Sequence, residues 1–253
     1  MVSIMQVFSA FLISLIAGLS TVIGSFIIFL NIKEKHINKF ITFCLAFSIS
    51  IMIGISITDL IPSSFFYIAF NNTIVRSIII TITAFLFGVL TVFILNKLMK
   101  QEKNNNLYNL GILSMITLMV HNFPEGIATF IGGIQDINLG IKLGCAIMLH
   151  NIPEGISIAV PIYYSTKSKK KAIFHTFLSG ISEPLGALLA YLFLSNFITE
   201  TMISIVLLFV SGLMISLSIN KLLPEALYYK ETKYVYRGLI IGILLILINH
   251  FLF

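Results

Sequence analysis

Eight apolar runs, each long enough to cross a lipid bilayer as a helix, divide almost the whole chain. They cover residues 4–30, 40–61, 74–98, 109–134, 138–163, 172–197, 201–228 and 234–253. A helix needs about 20 apolar residues to span the hydrocarbon core. The runs are apolar on all faces and do not alternate, which favours helices over a transmembrane barrel. We therefore predict an all-α integral membrane protein with eight transmembrane helices, numbered in chain order as predicted helices 1 to 8.

The composition agrees with a lipid environment. Hydrophobic residues make up 58% of the 253 residues and charged residues only 10%, against about 25% charged residues in an ordinary soluble domain. The net charge of +6 does not indicate a nucleic-acid partner, because the basic residues lie in short gaps between apolar runs. Cys44 and Cys145 lie inside apolar runs and are predicted to be free, buried thiols. The longest polar connection is short, residues 99–109, so we expect residues 1–253 to form a single transmembrane domain.

The basic residues also predict the orientation of the chain. Fourteen of the 16 Lys and Arg residues lie in or beside the odd-numbered loops, and only Arg76 and Lys142 lie elsewhere. Loops rich in Lys and Arg stay on the cytoplasmic side of a membrane. We therefore expect the odd-numbered loops inside the cell, both termini outside, and a location in the cell membrane.

The second part of the chain resembles the first. Residues 18–24 in predicted helix 1 parallel residues 180–186 in helix 6, and at the same offset Met52 in helix 2 is in register with Met214 in helix 7. A shift of five helices is odd, so the two halves run in opposite directions through the membrane. This predicts an inverted repeat of helices 1–3 and 6–8 around central helices 4 and 5, a construction typical of secondary transporters.

The sequence His-Asn-x-Pro-Glu-Gly occurs twice, at residues 121–126 in helix 4 and 150–155 in helix 5. A His and a Glu at positions i and i+4 lie on one face of a helix. The proline between them removes a backbone donor and bends the helix. Irregular backbone at membrane depth is tolerated only where protein or a water-lined cavity satisfies it. One copy alone would suit a hydrogen-bonded helix contact, but two copies at matching depth favour a shared site.

Three intramembrane carboxylates, Glu125, Glu154 and Glu183, lie at one depth in helices 4, 5 and 6. Each charge at the bilayer centre costs at least about 2.5 kcal/mol, and the three repel one another. A divalent cation resolves both problems. Because imidazole nitrogen accompanies the carboxylate and amide oxygens, zinc, iron and similar transition metals suit the donor set better than magnesium or calcium.

These residues carry a resemblance to a known family. The doubled motif in helices 4 and 5, with the acidic helix 6, resembles the ZIP (zinc/iron permease) family of divalent metal transporters, and most of all its bacterial ZupT/GufA-like branch. The resemblance covers essentially the whole chain. It implies a two-metal site, metal uptake into the cytoplasm, and alternating access in which one group of helices moves against the other.

The resemblance also implies a set of metal ligands. Helices 4 and 5 each supply a His, an Asn and a Glu, helix 6 supplies a Glu, and helix 2 supplies a Met that is equally well explained as a packed side chain. Glu125 and Glu154 are the expected bridges between two ions. The implied ligands are His121, Asn122, Glu125, His150, Asn151, Glu154, Glu183 and Met52.

Three positions outside the motifs stay open. Many relatives carry an acid before Leu-Leu-Pro in helix 7, whereas Asn220 and Lys221 stand here, so no exit-side metal site is expected at that point. Asp59 is either an acid that attracts ions at the entrance or an ordinary interfacial acid. His175 either assists metal release or is an interfacial histidine beside the basic residues 167–171.

The leading function is therefore a carrier for Zn²⁺, with Fe²⁺, Mn²⁺, Co²⁺ or Cd²⁺ as alternative substrates and no cofactor. A metal-gated ion channel is the runner-up, which the sequence separates poorly from a carrier. A membrane metalloenzyme is disfavoured because such enzymes need His-rich clusters with an open position, and this chain has five histidines and no His-Glu-x-x-His. The sequence leaves open whether the chain acts as a homodimer.

Overall fold

The structure is a computed structural model that describes residues 4–98, 106–194 and 199–252. Those residues contain helices and no strand. The α-helices are α1 (Ile4–Ser25), α2 (Ile37–Ile55), α3 (Ile61–Asn71), α4 (Ile74–Leu98), α5 (Asn106–Gln135), α6 (Ile137–Thr166), α7 (Lys169–Leu189), α8 (Glu200–Leu217), α9 (Leu223–Tyr228) and α10 (Thr232–Leu252). Of the polar connection 99–109, residues 99–105 lie outside the described residues.

Seven helical stretches among the described residues are long and apolar enough to cross a membrane. This confirms the predicted all-α membrane protein. The last helix, α10, has 21 residues, which corresponds to a length of about 31 Å at 1.5 Å per residue. Its role as an eighth span stays a prediction.

Two of the predicted helices are interrupted by a π-helical turn. Ser56–Leu60 joins α2 to α3, and Ser218–Leu222 joins α8 to α9. Each turn comes just before a proline, Pro62 or Pro224, at the start of the next segment. A π-turn accommodates a residue that cannot donate its backbone N–H to the preceding turn.

The predicted end of helix 2 at residue 61 is wrong, because the helix passes Pro62 and continues to Asn71 as α3. Hydroxyl groups supply donors to carbonyls around the π-turn. The Ser56 hydroxyl donates to the Met52 carbonyl at 2.8 Å, and the Ser63 hydroxyl donates to the Asp59 carbonyl at 2.6 Å. A proline therefore does not stop a helix where neighbouring hydroxyls and a wider turn satisfy the backbone.

The helices are arranged around a central pair. Helices α5 and α6 form an antiparallel hairpin that packs against α1 and α7, which also contact each other. Helix α2 packs against α6, α9 and α10, and α4 packs against α8. Helix α6 is central, because 67% of its most apolar 18-residue stretch is buried inside the protein. Helix α4 is peripheral, because only 11% of the corresponding stretch is buried. The exposed surface of α4 consists of large apolar residues such as Ile78, Phe87 and Phe93, which suits contact with lipid tails. Cys44 and Cys145 are free thiols, buried and half-buried respectively.

Candidate metal-binding site

The hairpin of α5 and α6 places the two motif copies side by side. The turn lies at Asp136, whose side chain caps α6 by accepting a hydrogen bond from the Asn138 backbone N–H at 2.9 Å. Along the chain, His121 and His150 lie at almost equal distances before and after Asp136. In an antiparallel hairpin, residues at equal distances from the turn lie opposite each other. The two histidines therefore face each other, with ring centroids 6.3 Å apart.

Four side chains from the two motifs form a continuous series of close contacts. His121 Nε2 lies 3.3 Å from Glu154 Oε1 and 3.4 Å from Glu125 Oε1. His150 Nε2 lies 3.3 Å from the same Glu125 oxygen. Each helix therefore contributes a His and a Glu, as the i, i+4 spacing predicted, and each Glu contacts the His of the other helix.

These separations match the coordination geometry of zinc. Two ligand atoms bound to Zn²⁺ at about 2.0–2.1 Å with a tetrahedral angle between them are about 3.3–3.4 Å apart. His121, Glu125 and His150 offer ligand atoms that all lie within 4.8 Å of one another. Within ranges 4–98, 106–194 and 199–252, no other group of three His, Cys, Asp or Glu residues is so arranged.

The site is buried and rich in acceptor atoms without donors. His121, Glu125, His150, Glu154 and Glu183 are all buried. The described residues provide no hydrogen-bond partner for six ligand-type atoms there: Glu125 Oε2, Glu154 Oε2, Glu183 Oε1, His121 Nδ1, Asn122 Oδ1 and Asn151 Oδ1. Buried carboxylates left in this state are strongly destabilising, so the arrangement suits a bound cation.

The two motif asparagines tie the site to neighbouring helices. Asn151 Nδ2 donates to Glu183 Oε2 at 2.9 Å and to the Ala17 carbonyl at 3.0 Å. Asn122 Nδ2 donates to the Ser179 carbonyl at 3.3 Å. In both residues the amide donates outward while its oxygen has no partner among the described residues. Glu183 of α7 is therefore held beside the α5–α6 pair through Asn151.

The motif glycines allow the backbones around the site to approach closely. A Cβ atom on Gly126 would overlap the Glu183 carbonyl oxygen, and one on Gly155 would overlap the Thr21 carbonyl oxygen. The same holds for two glycines outside the motif: Gly24 lies against the Ile152 carbonyl and Gly186 against the Phe123 carbonyl. Any larger residue at these positions would push α1 or α7 away from the central hairpin.

Met52 is buried in α2, and its sulfur accepts a weak hydrogen bond from the Ser218 hydroxyl at 3.8 Å. Met214 makes the equivalent contact with the Ser56 hydroxyl, also at 3.8 Å. Each contact joins the first residue of a π-helical turn to the α-helix that precedes the other turn. The predicted role of Met52 as a ligand stays a prediction.

The remaining singled-out residues lie away from the four-residue series. Asp59 is an exposed residue of the first π-turn. Lys221 lines a polar cavity of about 380 Å³ with Asn109 and Glu225. His175 is half-buried on α7 and its Nδ1 lies 2.7 Å from the Lys171 carbonyl, which agrees with a local contact.

Sequence reasoning missed two serines, in α1 and α2, whose hydroxyl groups contact backbone carbonyls of α6 near the site. The Ser48 hydroxyl of α2 donates to the Pro153 carbonyl at 2.7 Å. The Ser20 hydroxyl of α1 donates to the Ala17 carbonyl of its own helix at 2.6 Å and also lies 3.3 Å from the Met148 carbonyl. Both serines are buried in otherwise apolar helices. A small polar residue inside an apolar run was the available signal, but such residues are too common in membrane helices to single out these two.

Comparison with known proteins identifies the family of the chain. A family model described as the ZIP zinc transporter matches residues 99–250. The chain is 37% identical to the zinc transporter ZupT of Streptococcus mutans, over 98% of each chain. It is 39% identical to the zinc transporter ZupT of Chlorobium limicola, over 93% of this chain and 94% of the relative. It is 34% identical to the zinc transporter ZupT of Clostridium perfringens, over 98% of this chain and 97% of the relative. The doubled motif, the helical membrane fold and these matches together show that the chain belongs to the ZIP family of transporters.

Proposed function

We propose that this chain is a carrier that moves Zn²⁺ across the cell membrane into the cytoplasm. The single observation that carries the proposal is the buried series Glu154–His121–Glu125–His150, whose ligand atoms stand 3.3–3.4 Å apart. The curated relatives are named zinc transporters, and this chain shares their family. The same imidazole and carboxylate donors would also accept Fe²⁺, Mn²⁺, Co²⁺ or Cd²⁺.

The proposed site binds two ions. A single tetrahedral ion would need all four ligand atoms of the series to lie about 3.3–3.4 Å from one another, whereas the ligand atoms that lie within 4.8 Å of one another come from His121, Glu125 and His150 and not from Glu154. Since Glu154 Oε1 nevertheless lies 3.3 Å from His121 Nε2, the extended series supports two adjacent ion positions with Glu125 as the shared carboxylate. Asn122, Asn151 and Glu183 offer further oxygens without a partner among the described residues. Met52 completes the proposed set, and it would exchange its weak contact with Ser218 for the ion.

Alternating access is supported by contacts that occur twice. In each such pair, the contact made by a residue of the first half of the sequence is matched by the contact of its counterpart in the second half. The π-turns at Ser56–Leu60 and Ser218–Leu222 are in register. Gly18 and Gly180 each lie against the carbonyl of the other. The Ser56–Met214 and Ser218–Met52 contacts are likewise reciprocal. Such reciprocity is what a two-fold axis between inverted repeats produces, and α10 then takes its place as the eighth span.

The experiment is metal uptake by proteoliposomes. Wild type is compared with His121→Ala/Glu154→Ala and with the control Glu34→Ala, which removes an exposed carboxylate far from the site in sequence. We expect saturable zinc uptake by wild type and control, and none by the double variant.

The alternatives predict other results. Flux that stays linear with zinc concentration and approaches the conductance of an aqueous pore would favour the metal-gated channel. Zinc binding without uptake of any divalent metal by folded wild type would contradict transport and leave a metal sensor or enzyme.

A further inference from the structure

A large cavity away from the metal site lies between α2 and α10. It has a volume of about 550 Å³. Its wall combines apolar and aromatic side chains with the basic residues His36, Lys39 and Arg237. The metal site does not use any of these residues.

The two helices that form the cavity run parallel and begin at the same level. Gly238 of α10 lies against Phe43 of α2, and Gly242 lies against Phe47 and Ser50. Both helices therefore advance in the same direction along their interface. The spacing Gly-x-x-x-Gly lets their backbones approach closely, as in other membrane helix pairs.

The cavity has a charged level and an apolar level. Lys39 lies in the first turn of α2, and Arg237 is in the second turn of α10. One helical turn deeper on the same faces lie Phe43 and Ile241, which also line the cavity. Residues at i and i+4 share a helix face, so basic groups stand above an apolar slot. Ile241 is 47% exposed and opens the slot toward the lipid.

The basic groups have no carboxylate partner among the described residues. The ion pairs found there join only His121, Glu125, His150 and Glu154. Lys39 Nζ and the Arg237 guanidinium instead flank the ring of Tyr234, at 5.7 and 5.2 Å from its centroid. Contact with a ring face leaves the N–H donors of both cations available for a further acceptor.

We propose that this cavity binds an anionic glycerophospholipid, with the phosphate diester between Lys39 and Arg237 and one acyl chain along Phe43 and Ile241. Basic pockets between transmembrane helices on the cytoplasmic side suit anionic headgroups, and this cavity opens among the basic loops that we assign to that side. A free phosphate would match the cations but would leave the apolar slot unfilled. The occupant is therefore an anion that carries a hydrocarbon chain.

The bound lipid would hold α10 in place. Helix α10 packs mainly against α2, with a smaller contact to α9, so it depends on one interface more than the central helices do. A lipid in contact with both α2 and α10 binds the folded pair and not the separated helices. It therefore stabilises the fold by mass action. This role does not depend on the transport proposal.

The test is thermal unfolding of purified protein in detergent with added dioleoyl phosphatidylglycerol or dioleoyl phosphatidylcholine. At about 100 times the dissociation constant, mass action raises the Tm of a chain of this size by roughly 5–10 °C. We expect that rise with phosphatidylglycerol and not with phosphatidylcholine. Lys39→Gln/Arg237→Gln should lose it, whereas Lys33→Gln/Lys35→Gln, with the same change of charge in exposed residues of the adjoining loop, should keep it.

Two further arms distinguish a seated lipid from a free anion and from a general effect of charge. Ile241→Trp keeps every charge but fills the slot, so it should weaken the rise even if the double variant does not fold. Inorganic phosphate should give no comparable rise. The proposal is overturned if phosphate stabilises as strongly as the lipid, if the control pair loses the effect equally, or if Ile241→Trp keeps it in full.

Discussion

At the scale of single residues, the site depends on where lone pairs point. Glu125 Oε1 lies between two imidazole Nε2 atoms, at 3.4 and 3.3 Å, while the second oxygen of the same carboxylate, Oε2, has no hydrogen-bond partner among the described residues. Asn151 uses its amide to hold Glu183 and leaves its own oxygen available. Such an arrangement costs free energy in the empty protein, because buried acceptors stay unsatisfied. At the proposed site, a bound divalent cation would offset that cost by accepting the lone pairs of these atoms.

The role of Met52 can be tested against its own counterpart. Met52→Leu and Met214→Leu conserve volume in buried positions and should each cost less than about 1.5 kcal/mol of stability. If Met52 is a ligand, Met52→Leu should weaken zinc binding at least about tenfold, comparable to the loss of a supporting residue in other metal sites. Met214→Leu should leave it unchanged. Isothermal titration of purified variants measures both, and equal affinities would assign Met52 to packing alone.

At the scale of helices, the site is assembled by two close helix crossings, each with two glycines. Gly126 and Gly186 bring α5 and α7 together, and Gly24 and Gly155 bring α1 and α6 together. Every one of these glycines faces a carbonyl oxygen of the partner helix. Backbone cannot move aside as a side chain can, so the glycines determine how far Glu183 stands from the hairpin.

Gly126→Ala tests this dependence. The added methyl group would overlap the Glu183 carbonyl, and overpacking of this kind costs about 1–3 kcal/mol or more. We expect a lower Tm and a loss of zinc binding as α7 moves away.

Gly54→Ala is the matched control, because the three atoms nearest to its methyl group all belong to the Ile246 side chain and none to the backbone. That side chain can change rotamer, so binding should persist. Equal effects of the two substitutions on zinc binding would contradict the role given to the crossing of α5 and α7.

At the scale of the whole molecule, contacts recur between the first and second halves of the chain, but charges do not. Contacts such as those of Gly18 with Gly180 are reciprocal. The charges are not, since Asp59 in the first π-turn corresponds to Lys221 in the second. The proposed inverted repeat therefore makes the two halves similar in their contacts, while we expect the basic loops to distinguish the two faces of the membrane.

Cysteine labelling tests the orientation. In a Cys145→Ala background, Thr73→Cys and Lys35→Cys place a thiol at exposed residues in two successive loops. We expect a membrane-impermeant maleimide to label Thr73→Cys in intact cells and Lys35→Cys only after permeabilisation. The opposite pattern would invert the topology and the proposed direction of transport.

Proton competition should reduce transport at low pH. The imidazole and carboxylate ligands bind metal only when they are deprotonated. Initial zinc uptake by proteoliposomes should therefore fall as the pH decreases from about 7.5 to about 5.5, across the ordinary titration range of histidine. The apparent affinity for zinc should fall with it, and an affinity that does not change with pH would contradict direct ligation by His121 and His150.

The sequence by itself determined the membrane fold, because uninterrupted apolar runs have no other solvent than lipid. It also determined the identity of the central residues, because two His-Asn-x-Pro-Glu-Gly copies at almost equal distance from one turn must meet when the helices pair. The tertiary structure alone decided which atoms approach which. The 3.3–3.4 Å separations, the outward-facing amides of Asn122 and Asn151, and the continuation of α3 past Pro62 depend on how the backbone and its neighbours pack. The cavity between α2 and α10 was likewise decided by the tertiary structure. The two helices lie near opposite ends of the chain, and only packing brings Lys39 beside Arg237.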